Sequence, residues 1–432
     1  MGFGATAYAK PVLCLAWLHD LRLAETACTK RVLCLAWLHD LRLAETACPK
    51  RVLCVPPARG RPALSPTTDA VWSAQATSPP VIEEALRHLV AECYAQIEHC
   101  VPARTLNLVC IVDREWSGEI ANRLRRVGRY HASRTVVCAV EPGRTTIDAQ
   151  ATVSTEGSPR AGEFAVMREL VVVTVGERHL RDLDTIVDPL VVTDLRTAVW
   201  SPHGHPEAVD ALTTGRAGGA PIAQVVLLDA VDEPDPSAAV QRIRHLAEHT
   251  EIVDLAWLRC TPWRERLASA YDPAPRRPEL ATLSKVSVRY RADSTVSGLL
   301  LVGWLCTRLG WRPAALTRHG ALLRGHARAR RGEVELRLEP VEGMSVPGLA
   351  GIETRSDLGT LLALERGEGG LTARRREPAA RGSGDGDVYE HVWTVLGASR
   401  GEPGILGEGI RHALLRDPTY KPALAAARRM LA

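Results

Sequence analysis

The stretch Thr105-Leu-Asn-Leu-Val-Cys-Ile-Val-Asp113 decides the fold. It is a dense apolar run rich in β-branched residues, the pattern of a strand covered on both faces. In residues 117–130, Ile120, Leu124 and Val127 recur at helical spacing, and Thr135-Val-Val-Cys-Ala-Val140 is a second apolar strand. Strand, helix and strand in this order favour a parallel pair joined by a crossover helix.

Ser78 stands where a helix N-cap belongs, and Val81, Ala85, Leu86, Leu89, Cys93 and Ile97 predict a helix over 80–100. Residues 147–154 and 168–175 read as strands, and 179–192 as an amphipathic helix that Pro189 helps to end. A strand at 197–200 leads into Ser201-Pro-His-Gly-His-Pro206. Beyond it come a strand at 223–228, helices at 237–249 and 263–271, a half-buried strand at 284–291 and a strongly apolar helix at 294–309. From 314 to 376 short alternating segments broken by Gly predict an antiparallel sheet. Helices are expected at 388–396 and at 405–431, the latter broken near Asp417-Pro418. The fold class is α/β: two domains with mostly parallel or mixed sheets flanked by helices, plus a C-terminal antiparallel sheet and terminal helices. The division expected is 67–203 and 204–432, near the His-Gly-His-Pro loop.

Residues 1–66 stand apart. The segment 12–28 recurs without one change as 32–48, a period of twenty. Structural repeats of long standing drift everywhere except at buried positions, so perfect identity points to a recent duplication or a start codon placed too early. Five of the eleven Cys lie in this region, and residues 56–66 read as a Pro/Arg/Ser-rich linker. The segment is expected to be a non-globular or mis-annotated extension and is set aside from the functional reading.

A net charge of +4, from 54 basic against 50 acidic residues, is too small to argue for nucleic acid. The longest strongly apolar run, 298–306, is about half the roughly 20 residues a spanning helix needs. The cysteines show neither CxxC pairs nor zinc spacing, and with no credible secretory signal reduced thiols in the cytoplasm are the default expectation.

Catalytic motifs are scarce. There is no GxxxxGK[ST], whose backbone amides would cradle phosphates, and no GxSxG elbow. Gly404-Ile-Leu-Gly-Glu-Gly409 lacks dinucleotide spacing and a preceding strand, and reads as a turn opening a helix; Gly215-Arg-Ala-Gly-Gly-Ala220 reads as a loop. His203 and His205 have no nearby Cys or carboxylate partners in sequence, so no metal is assigned. Asp229, Asp232, Glu233 and Asp235 follow a strand, and either hold Mg²⁺ or form a solvated loop before a helix N-terminus, where negative charge is favoured. The basic run 324–331 and Arg374-Arg-Arg376 fit either charged sheet edges, which block strand addition, or a phosphate site.

Two tryptophan-bearing stretches remain, Asp254-Leu-Ala-Trp-Leu-Arg-Cys-Thr-Pro-Trp-Arg264 and Gly303-Trp-Leu-Cys-Thr-Arg-Leu-Gly-Trp311. The indole ring buries much area, and its N–H needs an acceptor once it leaves water, so four Trp close to Arg imply a specified local structure. Together with Arg104-Thr-Leu-Asn-Leu108, Ser133-Arg-Thr-Val-Val137, His179-Leu180 with Ile186-Val-Asp-Pro-Leu190, and Asp194-Leu-Arg-Thr-Ala-Val-Trp200, they form a collinear set. That set resembles the glucose-6-phosphate dehydrogenase assembly protein family, OpcA, over about half the chain. In the family the strand ending at Trp200 usually closes with paired Trp, whereas Ser201 follows here.

The resemblance implies a non-catalytic protein, without cofactor, that promotes assembly or activity of the oligomeric dehydrogenase in the oxidative pentose phosphate pathway. Such a partner needs aromatic and Arg anchors, the residue types enriched at binding hot spots. The candidates are Trp200, Trp257, Arg259, Trp263, Arg264, Arg308 and Trp311, with Arg259, Trp263 and Arg264 expected at the surface and Trp304 in the core. Two other classes stay open: a sugar-phosphate- or nucleotide-binding enzyme or sensor using the carboxyl ends of the parallel strands, and a nucleic-acid binder using residues 324–331. Scarcity of catalytic constellations argues against the first, and near-neutral charge against the second.

Overall fold

Two β-sheets organise residues 68–97, 100–102, 104–127, 132–156, 165–215, 220–367, 369–378, 388–396 and 401–432, which are the residues this computed structural model describes. The repeated segment with its linker, the middle of the 215–220 loop and the end of the 117–130 helix lie outside them.

The first sheet is built from β1 (Thr68–Ala74), helix α1 (Pro79–Gln96), β2 (Cys100–Pro102), β3 (Leu106–Asp113), α2 (Ser117–Val127), β4 (Ser133–Val140), β5 (Asp148–Glu156) and β6 (Ala165–Val175). It continues through α3 (Leu183–Val187), β7 (Thr197–Trp200), α4 (Pro206–Thr214), β8 (Val225–Leu228), α5 (Pro236–Leu246) and β9 (Glu251–Asp254). The strand order is β1-β5-β6-β4-β3-β7-β8-β9, with β2 paired to β6. The parallel β3–β4 pair expected from sequence is present, Leu106 opposite Ser133 and Asp113 opposite Val140. β6, β4, β3, β7, β8 and β9 all run parallel. Numbered by their order in the chain, they stand third, second, first, fourth, fifth and sixth across the sheet. This is the doubly wound arrangement, and it reverses between β3 and β7. The unalternated apolar run of β3 has a direct cause: Leu106, Leu108, Cys110 and Val112 enter one core while Val109 and Ile111 enter the core on the opposite face.

Helices α6 (Leu255–Arg259) and α7 (Thr261–Tyr271) lead to the second sheet. It comprises β10 (Leu283–Arg291), helix α8 (Thr295–Leu309), β11 (Arg312–Pro313), β12 (Thr317–His319), β13 (Leu322–Arg328), β14 (Glu333–Val341), β15 (Leu349–Ser356), β16 (Leu361–Gly367), β17 (Gly370–Pro378) and β18 (Val388–Leu396). The order is β11-β13-β14-β10-β15-β16-β17-β18, with β12 on β13. β10 enters the middle, parallel to β14 and antiparallel to β15, so the sheet is mixed rather than purely antiparallel. Val286, Val288 and Tyr290 of β10, with Val334, Leu336 and Leu338 of β14, face α8 and the shared core. The alternate positions, Lys285, Ser287 and Arg289 opposite Glu335, Arg337 and Glu339, form the opposite face. Helices α9 (Gly401–His412) and α10 (Tyr420–Leu431) return to the interior. A Cβ at Gly303 of α8 would collide with the Ala423 carbonyl of α10, which is how closely these two backbones pack.

Four expectations are corrected. Residues 388–396 form a strand paired with β17, not a helix. Val388, Val392 and Val395 fall at helical spacing, but the β-branched and aromatic content and the partner strand prevail. The 179–192 helix is broken into a 3-10 turn at Glu177–Asp182, the short α3 and a second 3-10 turn at Asp188–Leu190, where Pro189 has no N–H to donate. The segment 404–409 lies inside α9, where the bare Gly409 leaves room for Leu255. The division expected near residue 203 falls between paired parallel strands, because β8 and β9 extend the first sheet beyond it.

Candidate functional site

Three places gather chemistry: a sealed corner around Trp257, a cleft at the carboxyl ends of β3 and β7, and the open face of the second sheet. The corner begins where β9 ends. Asp254 caps α6, its Oδ1 accepting the Ala256 N–H at 2.9 Å and the Ala230 N–H at 3.2 Å, while its Oδ2 accepts the Tyr420 hydroxyl at 3.0 Å. Complete burial, with Asp229 nearby, pushes the Asp254 carboxyl up to about 7. Asp229 itself pairs with Arg259 at 2.6 Å. The Trp257 indole N–H donates to Asp417 at 2.7 Å, and the Arg264 guanidinium lies 3.5 Å over the same ring. Burial would raise Asp417, but hydrogen bonds from Thr419 and Trp257 outweigh it and hold the carboxyl below its usual value.

This geometry corrects the placement of the sequence-selected residues. Trp263, expected at the surface, is 1% exposed, and Arg259 and Arg264 are covered by their acidic and aromatic partners. Trp200, Trp257 and Trp311 are also buried. The indole area that suggested hot spots is used to join helices, because Asp417 and Asp229 supply inside the fold the partners that a surface Trp or Arg would seek outside it. Arg308, in the last turn of α8, is exposed, and Trp304 is partly buried against the core. The amino ends of the strands are likewise structural. Glu169 of β6 bridges Arg104 and Arg134, and the Asn107 amide is held by the Val192 backbone and the Thr197 hydroxyl.

At the carboxyl ends of β3 and β7 the strands are followed by different crossovers, and a cavity of about 280 Å³ opens. Trp116, Glu119, Ile120, Arg123, Trp200 and His203 line it. His203 Nδ1 accepts the Asp113 backbone N–H at 3.0 Å, which leaves its Nε2 as the protonated donor. His205 Nε2 lies 3.1 Å from the Asp113 carboxylate. His203 and His205 stand out in the sequence, whereas Asp113, Trp116 and Arg123 do not. The available signal was a Trp three residues beyond the end of the first parallel strand. Among the described residues, no group of three or more His, Cys, Asp or Glu side chains is placed to hold a metal. The acidic loop 229–235 is divided: Asp229 joins the corner, while Asp235 caps α5 by accepting from Ser237 and Ala238.

The open face of the second sheet is laced with charge. Glu335 takes both Lys285 at 3.1 Å and Arg324 at 2.9 Å, Arg289 pairs with Glu365 at 2.8 Å, and Glu390 takes Arg376 at 3.0 Å and Arg374 at 3.4 Å. Arg375 points the other way, buried between Glu279 and Glu377. The described cysteines are free and buried, and burial pushes the Cys138, Cys260 and Cys306 thiols up to about 12. Among the described residues no helix is long and apolar enough to cross a membrane.

Residues 125–245 match the family described as "Glucose-6-phosphate dehydrogenase subunit N-terminal domain", and residues 250–424 match its "C-terminal domain". Curated relatives named OxPP cycle protein OpcA are similar. The one from Nostoc punctiforme is 33% identical over 97 residues, 22% of this chain and 21% of that protein. The one from Synechococcus elongatus is 28% identical over 148 residues, 34% of this chain and 32% of that protein. The matched part of the chain thus spans a third or less of these relatives' length. Two solved structures are more distant. An oxidoreductase from Sinorhizobium meliloti has 13% identity and a TM-score of 0.39, covering 75% of this chain and 95% of that one. The WlbA (WbpB) dehydrogenase from Thermus thermophilus has 14% identity and a TM-score of 0.32, covering 61% and 84%. Scores this low assign neither fold nor activity. The two consecutive domain matches, spanning most of the described chain in the same order as the two sheets, show that this protein belongs to the OpcA family of glucose-6-phosphate dehydrogenase subunit proteins.

Proposed function

We propose that this chain is a non-catalytic cytoplasmic partner of oligomeric glucose-6-phosphate dehydrogenase that favours its assembled, active form, and that it docks through the open face of the second sheet. The observation that carries the reading is the match of residues 250–424 to a dehydrogenase subunit domain, the region that contains this sheet. Rows of Arg and Glu in alternating register give such a face orientation and association rate more than raw affinity. A protein that binds the active oligomer better than inactive forms shifts the population toward it by that difference in affinity.

A non-catalytic role is supported by the turn after β3. A dinucleotide fold needs glycine there so that backbone amides can approach a pyrophosphate. Here Arg114, Glu115 and Trp116 occupy a 3-10 turn. The buried corner contributes indirectly, by fixing α6 and α7 where the second sheet begins, and Arg308 is the sequence-selected residue left at the surface. The nucleic-acid alternative is disfavoured because the net charge is only +4 and Arg324, Arg374 and Arg376 share their face with Glu335 and Glu390.

The test is to mix the purified chain with its cognate dehydrogenase and measure activity and oligomer size by light scattering. A rise in both is expected. No change in either quantity overturns the reading, and turnover of a sugar phosphate by the chain alone would replace it with the enzyme reading.

A further inference from the structure

We propose that the cleft at the carboxyl ends of β3 and β7 binds a neutral, polyhydroxylated ring of monosaccharide size. This inference stands apart from the dehydrogenase partnership. It rests first on topology. The parallel order reverses between these two strands, and open α/β sheets take ligands in the crevice outside such a reversal. The cavity found there, about 280 Å³, suits one small ring rather than a dinucleotide.

The lining then selects the chemistry. Trp116 is 46% exposed and tilted against His203, and the buried Trp200 and Ile120 add an apolar wall. A sugar ring presents C–H faces that lie against such surfaces, with hydroxyls around its edge. The polar groups come in opposite kinds. Arg123 is half-buried and lines the cleft, and its guanidinium only donates hydrogen bonds. The exposed carboxylate of Glu119, one turn earlier on α2, accepts only. A hydroxyl both donates and accepts, so neighbouring hydroxyls on one ring satisfy Arg123, Glu119 and the Nε2–H of His203 together.

An anionic ligand fits less well. The phosphate groups of nucleotides usually sit at the N-terminus of the first crossover helix. Here Asp113, Glu115 and Glu119 outnumber Arg114 and Arg123, a small acidic excess that disfavours phosphate, and a bulky 3-10 turn stands in place of glycine.

The test uses the full chain alone, titrated separately with D-glucose, glucose 6-phosphate and NADP⁺, followed by tryptophan fluorescence and calorimetry. Saturable glucose binding on the order of 1 mM is expected, with the two phosphorylated compounds binding more weakly. Trp116→Ala, Glu119→Ala and Arg123→Met should each weaken glucose binding about fivefold while leaving the circular dichroism spectrum unchanged. The proposal is overturned if glucose shows no saturable binding, if either phosphorylated compound binds as tightly, or if glucose affinity survives all three substitutions.

Discussion

In the corner around Trp257, Arg259 and Arg264 lie under protein, each held by a carboxylate or an indole face. On the open face of the second sheet, Arg324, Arg374 and Arg376 meet carboxylates too, but in water. The distances are similar and the consequences opposite. A buried charge that loses its partner is stranded in a medium that solvates it poorly, whereas an exposed one is resolvated at little cost. Arg within the protein therefore holds the fold together, and Arg on the face is free to exchange its Glu for a partner's.

The largest perturbation separates the two regions at once. Trp263→Ala, which empties a fully buried ring site, is expected to lower stability by about 3–5 kcal/mol in denaturant unfolding. If stability held and only dehydrogenase binding were lost, Trp263 would be a surface anchor after all. Arg259→Ala, leaving Asp229 unpaired, should cost about 3 kcal/mol in the same measurement, and Asp229→Asn combined with it should recover part of that loss.

The corner also has a pH signature. The Asp254 carboxyl is raised from 3.8 to about 7 by burial and by Asp229, so between those values the folded chain holds a proton that the unfolded chain has lost. Stability from this group is full below about pH 4 and declines as pH rises toward about 7. Thermal melts across that window should show the decline, and Asp254→Asn should flatten it. The open face should behave differently. Reversing charge in Arg374→Glu with Arg376→Glu should change stability by about 0.5 kcal/mol or less, yet weaken dehydrogenase association about tenfold, an effect that added salt diminishes. Smallest of all, alkylation of Cys138, Cys260 and Cys306 in the folded chain should be negligible, because their thiolates are disfavoured.

Much of the architecture was legible. The two-sided burial of β3 and the crossover to β4 follow from uninterrupted apolar runs, and the break before Pro418 follows from proline chemistry. β18 was misread because three Val at helical spacing imitate an amphipathic helix, and only the neighbouring strand decides against it. β9 and α6 were missed because a four-residue strand leaves almost no periodicity to detect. Residue type marks the Trp and Arg stretches as a specified structure but cannot say whether the partner of an indole N–H lies within the chain. Asp417, some 160 positions away, answers that for Trp257. The cleft escaped notice for a related reason: Trp116 and His203 meet only because β3 and β7 are neighbours.

The contact of α10 against α8 at Gly303 also sets a timetable for synthesis. Ile405, Leu406, Tyr420, Leu424 and Met430 belong to the same core as Leu106 and Leu108. That interior therefore stays open while the ribosome is still translating everything between them. Until α10 emerges, the side of α8 around Gly303 is uncovered, and a nascent chain stalled before it exposes a half-built joint. Chaperone demand should accordingly last until α10 has emerged.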